Sequence, residues 1–187
     1  MRVVLMGPPG AGKGTQAAVV SGRLGIPHVS TGDIFRANVA GGTPLGLEAQ
    51  KYMDAGEYVP DSVTNEMVRD RLAQPDAAAG FLLDGYPRTV AQVDELAEML
   101  GSASTAIDKV VELTVDTDEV VARLVKRAAD QGRSDDTEDV IRRRQEIYNE
   151  QTAPLTALYA AQGVLVQVDG TGDVDEVTTR VLDILGV

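Results

Sequence analysis

No cysteine occurs in the 187 residues, which excludes disulfides and any thiolate-held zinc. A single histidine, His28, leaves almost nothing for a histidine-ligated metal, and its place in an apolar run suits packing at a strand end better than catalysis. No apolar stretch is long enough to span a bilayer, and glycines and Lys13 interrupt the N-terminus where a secretory leader would be apolar. The expectation is a cytoplasmic protein without membrane contact. Positive charge is also scarce. Lys and Arg total 17 against 29 Asp and Glu, a formal net charge of −12 that opposes nucleic-acid binding. All basic residues except Lys13, Lys51, Lys109 and Lys126 are arginine, whose planar fork grips phosphate bidentately.

What is present fits one compact domain. Apolar runs at Val3–Met6, Pro27–Val29, Phe81–Asp84, Val110–Val115 and Val164–Val168 read as buried strands. Helical patterns separate them: Lys13–Leu24, Asp33–Ala40, Pro44–Ala55, Ser62–Ala73, Thr89–Leu100, Asp118–Ala129, one long helix over Thr137–Gln162, and Val174–Leu185. This alternation predicts an α/β fold, a five-stranded parallel sheet covered by helices on both faces, with ligands at the carboxyl ends of the strands. Two segments depart from it: residues 30–59, rich in glycine, and the polar stretch 126–136.

Gly7 to Thr15 reads Gly-Pro-Pro-Gly-Ala-Gly-Lys-Gly-Thr between the first strand and the first helix. Glycines at 7, 10 and 12 let backbone N–H groups approach oxyanions, the helix dipole favours the same phosphates, and Lys13 adds a point charge. A nucleoside triphosphate is the expected ligand of this P-loop. The position after the lysine, which carries a magnesium-binding Ser or Thr in the general motif, is Gly14, with Thr15 next. Direct ligation of Mg²⁺ from the loop is therefore not expected, and a small-molecule kinase is favoured over a GTPase or motor. Asp84, closing the third strand beside the loop, is the candidate Mg²⁺ residue, acting through metal-bound water because Mg²⁺ dehydrates reluctantly.

Further motifs follow in order: Ser-Thr-Gly-Asp-Ile-Phe-Arg at 30–36, Asp-Gly-Tyr-Pro-Arg-Thr at 84–89 with Gln92, Arg-Ser-Asp-Asp at 133–136, and Thr-Ala-Pro-Leu at 152–155. Together with the glycine loop they span essentially the whole chain, which resembles an adenylate kinase of the short-lid bacterial type. The resemblance implies a core of residues 1–29, 60–125 and 137–187, an AMP-binding insert at 30–59, and a lid at 126–136 too short for the zinc-bearing insertion of long-lid relatives.

It also implies roles. Gly10, Ala11, Gly12, Lys13, Gly14 and Thr15 would hold the ATP phosphates, and Gly172 would meet the ATP adenine. Thr31, Arg36, Glu57, Tyr58 and Val59 would bind AMP, the last three through backbone at the adenine. Gly85, Tyr86, Pro87, Arg88 and Gln92 would complete that site, Arg88 on the phosphate and Gln92 on the base. Arg123 and Arg127, four apart on one helix face, would serve ATP. Arg133 and Arg144 would close on the phosphates between substrates. Consecutive Arg142, Arg143 and Arg144 point about 100° apart around a helix, so they cannot all face one ligand; two of the three are expected to be solvated, and only Arg144 matches the family position.

The implied chemistry is reversible transfer of the γ-phosphoryl group of MgATP to AMP, giving two ADP, by a monomer that takes small nucleotides as partners. Pyrimidine kinases of similar build typically carry Ala at position 31 and lack the Thr and Gln at 89 and 92, so AMP is the favoured acceptor. A UMP or CMP kinase, and a nucleotide sensor that has lost the chemistry, are the alternatives.

Overall fold

The computed structural model describes residues 1–116, 119–120, 123–124 and 137–187. Five strands, β1 (Arg2–Met6), β2 (His28–Ser30), β3 (Phe81–Asp84), β4 (Lys109–Thr114) and β5 (Leu165–Asp169), form one parallel sheet in the order β2-β3-β1-β4-β5. Side chains alternate across the pleat, so Val4, Met6, Leu83 and Val110 enter one core while Val3, Leu5, Leu82 and Val111 enter another. Both faces are apolar because both are covered. Helices α1 (Lys13–Leu24) and α8 (Val174–Leu185) cover the second face through Ala17, Val20, Val177 and Val181. The first is covered by α4 (Asp61–Leu72), α5 (Val90–Ser102) and α7 (Leu155–Ala161), with Val68, Leu96 and Leu155 at most 1% exposed.

Two helices between β2 and α4, namely α2 (Thr31–Ala40) and α3 (Pro44–Ala55), have a small core of their own, Phe35, Ala49 and Val59. Helix α2 starts two residues before the sequence pattern suggested, because Ser30 caps it by accepting from the Asp33 amide at 3.2 Å. Thr43 caps α3 in the same way through the Gly46 amide at 3.0 Å.

The single helix expected over Thr137–Gln162 is broken. Helix α6 (Glu138–Ile147) passes into a π-helical turn at Tyr148–Thr152, where the Ala153 amide donates to the Tyr148 carbonyl at 2.8 Å, and α7 begins afresh at Leu155. Pro154 is the cause: it has no N–H to continue the ladder, and its ring crowds the carbonyl four residues back. The expected helix over Asp118–Ala129 falls mostly outside the described residues; Glu119, Val120, Arg123 and Leu124 are helical. Among the described residues, no helix is long and apolar enough to cross a membrane.

Candidate active site

The strand register pairs Leu5 with Asp84 and Met6 with Glu112, so the loop leaving β1 opens between the ends of β3 and β4. Ligand crevices form at such a place in a parallel sheet. A cleft of about 780 Å³ lies there, walled by the glycine loop on one side and by α2 and the Glu57–Val59 segment on the other.

Gly10 and Gly12 have φ near +90°, a conformation that a side chain at either position would strain. A Cβ on Gly10 would also press on Leu124 and the Val120 carbonyl. Gly12 caps α1 without a side-chain acceptor, so the amides of the first turn remain available to an anion. Lys13 Nζ donates to the carbonyls of Gly7 at 2.7 Å and Pro8 at 2.9 Å, which folds the ammonium across the loop. Arg123 reaches over the same loop, donating to Ala11 O at 3.4 Å and Gly170 O at 3.0 Å and pairing with Glu119. Gly170 begins the turn that carries Gly172, and Arg180 holds that turn by donating to the carbonyls of Asp169 at 2.9 Å and Thr171 at 2.7 Å. Gly172 lines the cleft beside Gln16 and Val174.

Asp84 also lines the cleft, and a Cβ on Gly14 would stand 3.6 Å from its Oδ2. The lone histidine is its neighbour, with Nε2 3.5 Å from the same oxygen. That proximity was not legible from sequence, since it depends on β2 lying beside β3.

On the opposite wall Thr31, 2% exposed, donates to Gly85 O at 2.9 Å. Arg36 meets Asp33 at 2.5 Å. Burial tends to raise the Asp33 carboxyl, but the Arg36 guanidinium, aided by the Ser30 hydroxyl and His28, outweighs it and holds Asp33 below the ordinary carboxylate value. Tyr86, within 1% of full burial, is pushed upward by desolvation, so it stays a neutral donor to Asn65 Oδ1 at 2.8 Å. The Tyr86–Pro87 peptide is cis.

Arg88 follows, half-buried, its Nε donating to Gly85 O at 2.7 Å. Burial pushes its guanidinium below the ordinary value, and the nearby cations Arg144 and Arg36 add to this, while Tyr58 and Asp84 oppose it. Of the arginine triplet, Arg144 lines the cleft, Arg142 pairs with Glu138 on the surface, and Arg143 pairs with Glu57 and Glu146. Arg127 and Arg133 lie outside the described residues.

The Thr89 and Gln92 pair has a second reading that the spacing itself carries. Thr89 caps α5 by accepting from the Gln92 amide at 3.2 Å, and the Gln92 side chain reaches back to accept from the Arg88 amide at 2.7 Å. This is a variant of the capping box. Gln92 lines the cleft, but its amide also donates to Asp61 at 2.7 Å, and Asp61 accepts from the Thr89 hydroxyl at 2.9 Å. Asp61 was not marked by the sequence, and Thr152 was marked only as part of a motif, with no role assigned. The T-x-x-Q spacing could have suggested the cap, whereas Asp61 gave no signal.

A glycine loop at a helix N-terminus and a polar wall with Arg36, Arg88 and Arg144 thus share one crevice. The family model described as Adenylate kinase matches residues 5–164. A protein named adenylate kinase from a Nocardioides species is 63% identical over 187 residues, covering 100% of this chain and 98% of that protein. Its counterparts from Kocuria rhizophila and Thermobifida fusca are 61% and 58% identical, covering 97% and 99% of this chain and 96% and 98% of their own lengths. With motifs, sheet topology and near full-length identity in agreement, the chain belongs to the adenylate kinase family.

Proposed function

We propose that this protein transfers the γ-phosphoryl group of MgATP reversibly to AMP, forming two ADP. The observation that carries the reading is the single cleft, which sets the glycine loop and Lys13 opposite Thr31, Arg36 and Arg88. Two anionic nucleotides placed there would meet phosphate to phosphate. Gly10 to Thr15 bind the triphosphate of ATP, Lys13 turns from the carbonyls of Gly7 and Pro8 to the transferred group, and the turn at Gly172 receives the donor adenine. Residues 30–59 form the AMP-binding insert: Arg36 and Arg88 take the AMP phosphate, while Thr31, the Glu57–Val59 backbone and Gln92 surround its adenine. Gly85, Tyr86 and Pro87 set the approach of Arg88. The 126–136 lid, with Arg127 and Arg133, closes over the phosphates together with Arg123 and Arg144.

An oxygen of the AMP phosphate attacks the γ-phosphorus, the bond from that phosphorus to the β,γ-bridging oxygen breaks, and ADP departs. The attacking oxygen is already anionic, so no general base is required. Catalysis then consists of alignment and of donors fixed where equatorial charge develops. Excluding water from the closed cleft protects ATP from hydrolysis.

Mg²⁺ enters with ATP as part of the substrate and supplies charge neutralisation on the phosphate oxygens. No group of three His, Cys, Asp or Glu among the described residues could hold a metal alone. Asp84 facing Gly14 fits a hydrated cation brought by the nucleotide, since Mg²⁺ keeps several of its waters and takes few protein ligands. The protein is taken to work as a cytoplasmic monomer.

Mixing purified protein with ATP, Mg²⁺ and AMP and following ADP by chromatography tests the reading. ADP should accumulate, and replacing AMP by CMP or UMP should reduce the rate strongly. Absence of ADP, or equal rates with a pyrimidine acceptor, would overturn it.

A further inference from the structure

Arg36 and Arg144 act on Arg88 as nearby like charges, Asp84 and Tyr58 act against them, and no carboxylate forms an ion pair with Arg88 among the described residues. Like charge nearby, tempered at Arg36 by its pairing with Asp33, makes the position of the Arg88 guanidinium costly before any anion arrives. Of the two neighbours that oppose this, Tyr58 is the one in ring contact. The Arg88 Cζ stands 4.9 Å from the centroid of the Tyr58 ring, within the range of cation–π attraction, so the ring face holds the guanidinium from below.

The same side chain also holds the other end of Arg88. Tyr58 Oη and Thr152 Oγ1 are 2.7 Å apart, and Thr152 Oγ1 donates to the Arg88 carbonyl at 2.8 Å. Thr152 has one hydroxyl proton and gives it to that carbonyl, so the tyrosine must be the donor to Thr152. A relay therefore runs from Tyr58 through Thr152 to the Arg88 backbone, while the ring covers the Arg88 head group. With Nε fixed on Gly85 O and the amide on Gln92, the terminal nitrogens of Arg88 make no hydrogen bond within the described residues.

We infer that the Tyr58 side chain is a positioning residue, which aims Arg88 at the acceptor phosphate and holds it against repulsion from Arg36 and Arg144. The inference rests on the proposed role of Arg88 in binding AMP. It assigns Tyr58 a function beyond lining the adenine pocket with its backbone, and it explains why the π turn matters: that turn brings Thr152 within reach of both partners. Preorganisation of this kind cuts the cost of ordering a long charged side chain when the ligand binds.

The test measures AMP affinity calorimetrically without ATP, together with kcat and KM, for the wild type, Tyr58→Phe, Tyr58→Leu, Arg88→Ala and Tyr58→Leu/Arg88→Ala, with a melting curve for each. Losing the stacked ring should weaken AMP binding about fivefold in Tyr58→Leu, the scale of a partly desolvated cation–π contact. ATP affinity should stay unchanged. Tyr58→Phe keeps the ring and should restore most of the loss. In the Arg88→Ala background, Tyr58→Leu should have almost no further effect on AMP, because the group it positions is gone. Equal losses from Tyr58→Leu with and without Arg88, or wild-type AMP affinity in Tyr58→Leu, would overturn the inference alone. Wild-type affinity and turnover in Arg88→Ala would instead refute the underlying assignment of Arg88, and the inference with it.

Discussion

Gly46→Ala offers a sharp test of how the insert delivers its arginine. Gly46 lies in the first turn of α3, where that helix crosses α2. A Cβ there would overlap the Asn38 carbonyl and come within 2.5 Å of the Val39 nitrogen, all backbone atoms that cannot swing aside as a flexible side chain does. Restoring ordinary contact means parting the helices by about 1 Å, because close-packed interiors have no slack to absorb the methyl. Overpacking of this kind costs roughly 1–3 kcal/mol. For a chain of this length that corresponds to a fall of about 3–10 °C in Tm. Arg36 rides on α2, so a displacement near 1 Å should also lower kcat/KM for AMP by about ten- to a hundredfold. The KM for ATP, whose proposed site is on the far wall, should not change. Gly22→Ala is the control: it lies in exposed helix with nothing within 4 Å of the added methyl and should stabilise by roughly 0.5–1 kcal/mol. Differential scanning calorimetry and steady-state kinetics read both effects. An unchanged Tm and AMP KM in Gly46→Ala would refute the claim that this crossing positions Arg36.

Other outcomes can be checked in parallel. Lys13→Ala should reduce kcat at least about a hundredfold while calorimetric AMP binding stays intact, the signature of a lost transition-state donor; near-normal turnover would reject the assignment. Thr178→Val removes the hydroxyl 2.8 Å from the buried Gln16 carbonyl oxygen that joins α1 to α8, and urea denaturation should show a loss of about 1–3 kcal/mol. The Asp33 carboxyl lies below its ordinary value of 3.8 in the fold, so its pairing with Arg36 contributes fully above pH 3.8 and is lost as pH falls below it. Asp33 is 62% exposed, which limits the contribution to about 0.2–1 kcal/mol. Asp33→Asn should accordingly be less stable than wild type at pH 6, and the gap should shrink steadily as pH is lowered below 3.8. A gap in urea midpoint that stays constant or widens as pH falls from 6 to below 3.8 would contradict that sign.

Much of this architecture was legible before any coordinates. Helices Lys13–Leu24, Pro44–Ala55 and Val174–Leu185 and strand Phe81–Asp84 fall on the residues that periodicity and glycine punctuation marked, because each has a strong local signal: Gly25, Gly56 and Gly186 end the three helices in left-handed caps. The break after Ile147 was missed because apolar spacing continues through Tyr148, Leu155 and Tyr159 and masks the interruption at Pro154. Glycine spacing marked the loop whose left-handed Gly10 and Gly12 lead into an uncapped helix start, since such a turn depends on local sequence. Side-chain partnerships across the cleft were not readable. Asp61 with Gln92, Tyr58 with Arg88, and His28 beside Asp84 join segments brought together by sheet order and the crossover of the chain.

The most direct test of the central claim follows the phosphorus itself. A single-turnover reaction with ATP labelled at the γ-phosphate, excess protein, Mg²⁺ and AMP should move the label into the β-phosphate of newly formed ADP, with two ADP appearing for each AMP consumed and almost no labelled inorganic phosphate. Label released mainly as inorganic phosphate, or retained in ATP while AMP is present, would contradict an account in which one cleft joins two nucleotides and keeps water out.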